Sequence, residues 1–229
     1  MEAMRMALTT AKMYFLISSK AKDSRAMINN IHSRAYLVDS CLLDLAAADV
    51  ISLKDNRIII NEVLPHSLYF LNSFMDVVIR NKDDDIDTVI AKILQNVGVI
   101  KHTYLALGEE FTEDGNVIEK KKGIIHKVRT FVPQHKTNAE IIDNISSQML
   151  GTRPMSINVF CLTEILVLSR QLRIYFRGRE RKAIKNRLLR LEKHPEYAKV
   201  FELSKEFEIH MKKVTNLIAK ETPSSYINL

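Results

Sequence analysis

Apolar residues recur at helical spacing along most of this chain. Leu37, Cys41, Leu45 and Ala48 stand at i, i+4, i+8 and i+11 and mark one face of a helix over 33–48, with Leu42 widening the stripe. Leu68, Leu71, Met75 and Val78 do the same for 66–80. A helix over 8–18 opens near Thr9 or Thr10, another runs from the aspartates at 83–87 to about Val97, and a further one covers 99–111. Asn138 is placed to cap a helix reaching about Leu150. The stretch 157–176 is apolar on nearly all sides as far as Leu168, the pattern of a central buried helix. Ile184, Leu188 and Leu191 then form the inner stripe of a helix over 179–193. Pro195 suits the first position of a last helix, which runs to about Lys220 with Tyr197, Val200, Phe201, Phe207, Met211, Val214 and Ile218 inward. Residues 221–229 are expected to be a frayed tail.

Two segments break this rhythm. Val50-Ile51-Ser52-Leu53 and Ile58-Ile59-Ile60 flank Asp55-Asn56, residues that tolerate positive φ, so the segment reads as a short hairpin. A second hairpin pairs 116–119 with 124–132, with its turn at Lys120-Lys121-Lys122-Gly123 and Pro133 as its stop. Each follows a helix and an acidic break. Ala48-Asp49-Val50-Ile51 parallels Gly115-Asn116-Val117-Ile118, a weak helix-then-hairpin repeat about 65 residues apart. No stretch rich in Pro, Gly or Ser divides the chain, so residues 1–229 are expected to form one domain with its core over about 7–220.

Composition narrows the fold class. Only 6 Gly and 5 Pro in 229 residues are too few for a many-turned sandwich or barrel, and 46% apolar content argues against disorder. The expectation is a mainly α, single-domain helix bundle with two short peripheral β-hairpins. Cys41 and Cys161 lie in apolar runs and read as reduced core residues in a reducing compartment. The best candidate membrane span, 36–53, carries Asp39, Asp44 and Asp49, and the apolar run 13–17 is too short for a secretory signal. A cytoplasmic location, with peripheral contact to a membrane surface, is expected.

Candidate chemistry is sparse. There is no G-x-S-x-G, P-loop, G-x-G-x-x-G or H-E-x-x-H, and the seven histidines never sit at i, i+4 or beside paired cysteines. Asp83, Asp84 and Asp85 suggest a calcium loop, but its required Gly and Glu positions hold Thr88 and Leu94. They read instead as acids favoured at a helix N-terminus. The expectation is a chain with no catalytic residues, metal or cofactor. Charge is the exception. The formal net charge is +7, yet Arg170 to Lys193 alone carries ten basic and two acidic residues, leaving the rest of the chain close to neutral. Such a patch attracts phosphate, on nucleic acid or on an anionic membrane.

The order of these pieces carries a resemblance. Leu8-Thr9 precedes an apolar helix; Cys41-Leu42-Leu43-Asp44-Leu45-Ala46 runs into Val50-Ile51-Ser52-Leu53 and a hairpin; Val117-Ile118 leads through a Lys-rich turn to Phe131-Val132-Pro133; a long apolar helix and a basic helix follow. This order resembles the Golgi phosphoprotein 3 family, the GPP34 domain, over about residues 7–215. The resemblance implies a central helix bundle with hairpins at its edge, and a non-enzymatic, peripheral membrane or adaptor protein. Eukaryotic members bind phosphatidylinositol 4-phosphate through a Trp and several Arg in one basic pocket, and associate through a hairpin. This chain has no Trp, and the family's arginine positions fall near Val38, His102 and Leu105.

The candidate lipid contacts are therefore Arg34, Lys101 and His102 in those neighbourhoods, and Arg179, Arg181, Lys182 and Lys185 in the basic segment. The candidate association surface is the second hairpin, through Val117, Ile118, Ile124, Ile125 and Val128. Expected partners are anionic lipid, phosphoinositides included, and a second copy of the chain. The competing reading is a winged-helix nucleic-acid binder, suggested by the repeated helix-plus-hairpin units and the basic segment. A third is that the basic helix is only a solvated face.

Overall fold

The computed structural model describes residues 8–18, 26–122, 128–151 and 153–221. It is 72% helical, with eleven α-helices and two two-stranded antiparallel sheets among the described residues, the mainly α architecture the pattern predicts. The elements are α1 (Thr10–Ser18), α2 (Ala26–Asn29), α3 (Ile31–Ala47), β1 (Ile51–Lys54), β2 (Arg57–Ile60), a 3-10 helix (His66–Leu71), α4 (Asn72–Arg80), α5 (Ile86–Gln95), α6 (Val97–Glu113), β3 (Val117–Lys122), β4 (Val128–Pro133), α7 (His135–Met149), α8 (Ile157–Leu168), α9 (Leu172–Tyr175), α10 (Gly178–Leu191) and α11 (Pro195–Glu221).

Three helices share the centre rather than one. All of α1 is buried, α3 is buried from Leu37 to Ala46, and α8 from Val159 to Leu166. α11 packs along α3, α5 and α8 and closes the bundle. Asp44, on α3, answers the open N-terminus of α1: its carboxylate accepts from the backbone N–H groups of Thr10 (2.7 Å) and Ala11 (3.0 Å). Lys12 is buried in α1, pairs with Glu110 of α6 and sits 5.3 Å from the centre of the Phe70 ring. A charge that looks like a boundary of the apolar run is thus a core contact between helices.

The helix-then-hairpin repeat is present in backbone detail. At the end of α3, Asp49 N–H bonds to Ala46 C=O and Val50 N–H to Leu45 C=O; at the end of α6, Gly115 bonds to Thr112 and Asn116 to Phe111 in the same pattern. Both are helix stops in which one residue takes positive φ, Asp49 at 54° and Gly115 at 71°. Each hairpin then returns to its own start, Asn61 N–H to Val50 C=O and Gln134 N–H to Asn116 C=O, both 2.9 Å. The equivalence pairs Val50 with Asn116, one position away from the sequence match of Val50 with Val117. Helix termination, not the Val-Ile dipeptide, sets the register.

The first hairpin turns at Asp55 (φ 51°) and Asn56 (φ 61°), the left-handed pair of a two-residue hairpin turn, with Leu53 opposite Ile58. In the second, Lys120, Lys121 and Lys122 are strand residues paired with Thr130, Arg129 and Val128, so the expected Lys-rich turn is ladder instead. The chain reversal, with Ile124 and Ile125, lies outside the described residues. One face of this hairpin docks on α6: Phe131 is fully buried, its backbone N–H donates to Tyr104 Oη (3.3 Å), and the two rings lie 5.5 Å apart. Gly108 permits this approach, because a β-carbon there would overlap the Phe131 ring. Phe15 of α1 completes the cluster, 5.3 Å from Tyr104 and 6.1 Å from Phe111.

Several boundaries differ from the sequence pattern. The long apolar helix ends at Leu168, because Ser169-Arg170-Gln171 is polar and Arg170 takes φ 59°, its N–H bonding back to Val167 C=O. Residues 66–80 divide into the 3-10 turn after Pro65 and α4. α3 begins two residues earlier than predicted, capped by Asn30 Oδ1 on the N–H groups of His32 and Ser33. α7 begins at His135 after Gln134, so Asn138 is a buried helical residue and not a cap. The basic helix begins at Gly178, one residue earlier than the pattern predicts. Of the predicted tail 221–229, Glu221 is the last residue of α11 and the rest lies outside the described residues.

Candidate anionic-surface site

The basic segment is a rigid shelf built off the end of α8. Leu172 and Phe176 are buried, and Tyr175 Oη donates to Ile17 C=O at 2.9 Å, so the short α9 is fastened to α1. α10 then packs on α7, α8 and α9 through Ile184 and Leu188, with Leu191 only half-buried. Its first turn is held by Glu180, whose carboxylate accepts the Arg177 backbone N–H at 2.7 Å. That contact commits one of the segment's two acids to the backbone.

The ten basic side chains are left uncompensated. Arg170, Arg173, Arg177, Arg179, Lys182, Lys185, Arg190 and Lys193 are exposed; Arg181 and Arg187 are half-buried, each with an enclosed Nε that has no hydrogen-bond partner. None of the ten forms an ion pair among the described residues. Several cations elsewhere are paired: Lys12 with Glu110, Lys92 with Asp84, Arg129 with Glu109 and Glu119, Lys199 with Asp49, and Lys213 with Asp87. Scattered ones such as Lys54, Arg57, Arg80 and Lys82 form no ion pair among the described residues; what sets the basic segment apart is that its unpaired cations are gathered in one place. Like charges gathered without partners repel one another and raise the local potential by several kT, which favours an anionic surface arriving from outside.

The other candidate residues lie apart from this shelf in the chain's architecture. Arg34, in the first turn of α3, is turned inward: Nε and Nη2 donate to Ile28 C=O and Nη1 to Leu94 C=O. Those bonds join α2, α3 and the end of α5, and burial lowers its pKa. It serves as a structural staple, so the expectation of Arg34 as a headgroup contact is corrected. Lys101 and His102 are exposed on α6 along an open depression of about 310 Å³ that Gly98, Leu105, Ala106 and Glu109 also line. His102 Nδ1 is 3.1 Å from Ser73 Oγ. Of the hairpin residues, Val117 is buried and unavailable to a partner, whereas Ile118 on the opposite face is 53% exposed. The Val128 side chain lies outside what is described.

Three carboxyl groups are buried on the otherwise apolar central helices. Asp39 of α3, 3% exposed, is pushed up to about 8 by burial and then by the Glu164 and Glu208 charges. Glu164 of α8, 4% exposed, is raised to about 7, chiefly by burial. Asp44 is raised to about 6 by burial, opposed by its bonds to the start of α1. Asp39 Oδ1 and Glu164 Oε2 have no hydrogen-bond partner. None of the three lines the depression along α6. Cys41 and Cys161 are buried and free, with thiols pushed up by burial.

Three of the four aspartates at 83–87 have structural partners. Asp85 caps α5 by accepting from Thr88 N–H at 3.0 Å, Asp84 pairs with Lys92, and Asp87 holds His210 (2.8 Å) and Lys213 of α11. Among the described residues no group of three or more His, Cys, Asp or Glu is arranged to hold a metal ion, and no helix is long and apolar enough to cross a membrane. No family model and no curated protein matches this chain.

Proposed function

We propose that this chain is a non-enzymatic peripheral membrane or adaptor protein of the Golgi phosphoprotein 3 type, which binds anionic lipid headgroups through α10 and the turns that precede it. The observation that carries the reading is the set of ten basic side chains without ion-pair partners on an element fastened to the core. A location on the cytoplasmic face of a membrane follows from that role. Lys101 and His102 are candidates for a second, smaller contact on α6.

The nucleic-acid reading is less well supported. α3 precedes the first hairpin where a recognition helix would stand, and it is buried from Leu37 to Ala46, so it cannot lie in a groove. Co-sedimentation with phosphatidylcholine vesicles, alone and with phosphatidylserine or phosphatidylinositol 4-phosphate, tests the proposal against a duplex DNA gel shift at matched salt. Binding should require the anionic lipid and fade as salt rises. Tighter binding to DNA than to any vesicle would overturn it.

The second hairpin is proposed to associate with another copy through its outer face, centred on Ile118. Light scattering at tens of micromolar should give more than the monomer mass, and Ile118→Asp should return it to monomer. A monomeric parent at that concentration removes the idea.

A further inference from the structure

We infer that Leu189 enters the bilayer when the basic helix docks, so that the contact is an interfacial insertion rather than a purely electrostatic one; this rests on the membrane reading above. On an α-helix the buried Ile184 and Leu188 fix the inward direction. Leu189 lies roughly 100° from Leu188 and is 56% exposed. It falls between Lys185 and Lys182, all three within an arc of about 60°. Lys193 follows one turn later, just past the helix end. A single exposed Leu is ordinary by itself. This one stands at the centre of a lysine stripe that has no ion pairs among the described residues.

That is the arrangement of a helix lying in a headgroup layer, with cations at the polar level and an apolar side chain reaching the acyl boundary. Lysine stems are long enough to lie beside that Leu while their ammonium groups stay among the phosphates. The charge of the stripe selects the occupant: an anionic bilayer offers both a phosphate layer and an apolar layer beneath it, in the order these side chains require.

The chain has no Trp, so Leu189→Trp is a single-site reporter on a position that is already exposed. With anionic vesicles its emission should move to shorter wavelength and be quenched by lipids brominated in the acyl chains. Leu189→Asn should weaken vesicle binding roughly tenfold while circular dichroism is unchanged. If the parent co-sediments with the vesicles but the Trp emission stays put and Leu189→Asn binds as the parent does, insertion is overturned and the electrostatic reading survives. If the parent fails to co-sediment, both fall. A blue shift that grows with protein concentration in the absence of vesicles would assign the stripe to a second copy instead, and would also overturn the inference.

Discussion

Changing Arg179, Lys182, Lys185 and Arg190 together to Glu will abolish binding to anionic vesicles and leave the fold intact. All four are exposed, and none lies on the Ile184–Leu188 stripe that holds α10 to the bundle. Near an anionic surface each Lys or Arg contributes about 1 kcal/mol, falling off within a Debye length. With Lys193 the outer face presents five such groups, so the parent gains roughly 5 kcal/mol before entropic costs, a weak and reversible attachment. Reversal removes four of the five and replaces them by repulsion, a swing of about 8 kcal/mol, more than the whole attraction. Arg181 is left unchanged because its Nε is enclosed and its replacement would disturb packing as well as charge. Stability should change little. Glu at 179 improves the charge at the start of the helix while Glu at 190 worsens it at the end, and the two offset. Sedimentation of the variant with anionic vesicles at low salt, alongside its thermal unfolding, checks this. Parent-like binding by a folded variant would show that another surface makes the contact.

Amphipathic periodicity located the outer helices of this fold because their inner faces differ chemically from their outer ones. α10 is legible from Ile184, Leu188 and Leu191, and the first hairpin from an Asp-Asn pair that adopts the positive φ its residues tolerate. Periodicity says less where a helix is buried all round. α3 shows an apolar stripe along one face, yet Asp39, Ser40 and Asp44 are as buried as Leu42, because other helices cover every side. Local sequence also does not show what a charge meets in space. Lys12 finds Glu110 across 98 residues, and Arg34 finds the carbonyl of Leu94. The basic shelf was legible as charge. Its exposed Leu189 was not: the stripe of Ile184, Leu188 and Leu191 leaves it off the inner face, but one Leu among outward positions carries no signal of its own until its exposure is known.

The buried carboxyl groups lead to the second large effect: the protein should be most stable at mildly acidic pH and lose stability as pH rises toward 8. Asp39 faces Glu164 from α8 and Glu208 from α11. Glu164 in turn meets Ser204, Lys205 and Glu208 of α11 and Glu192 at the end of α10. Glu208 is itself held by Lys205 and Lys212, so those cations are only partly available to the buried pair. In the unfolded chain both acids release their protons near pH 4, whereas in the fold burial holds Asp39 protonated to about 8 and Glu164 to about 7. Across that window the native state binds more protons than the unfolded state, so stability falls with rising pH, by at most about 1.4 kcal/mol per pH unit for each group. Asp87, held low by His210 and Lys213, acts in the opposite sense, but only below the ordinary carboxylate range. Thermal unfolding should therefore move down between about pH 5.5 and about pH 8.5, by an amount equivalent to on the order of 5 kcal/mol. Asp39→Asn keeps the shape and cannot ionise, so it should flatten that slope and raise stability at the alkaline end. A parent midpoint that is level or rises over this range, or an Asn variant that loses stability without losing the slope, would show that Asp39 is charged in the native bundle.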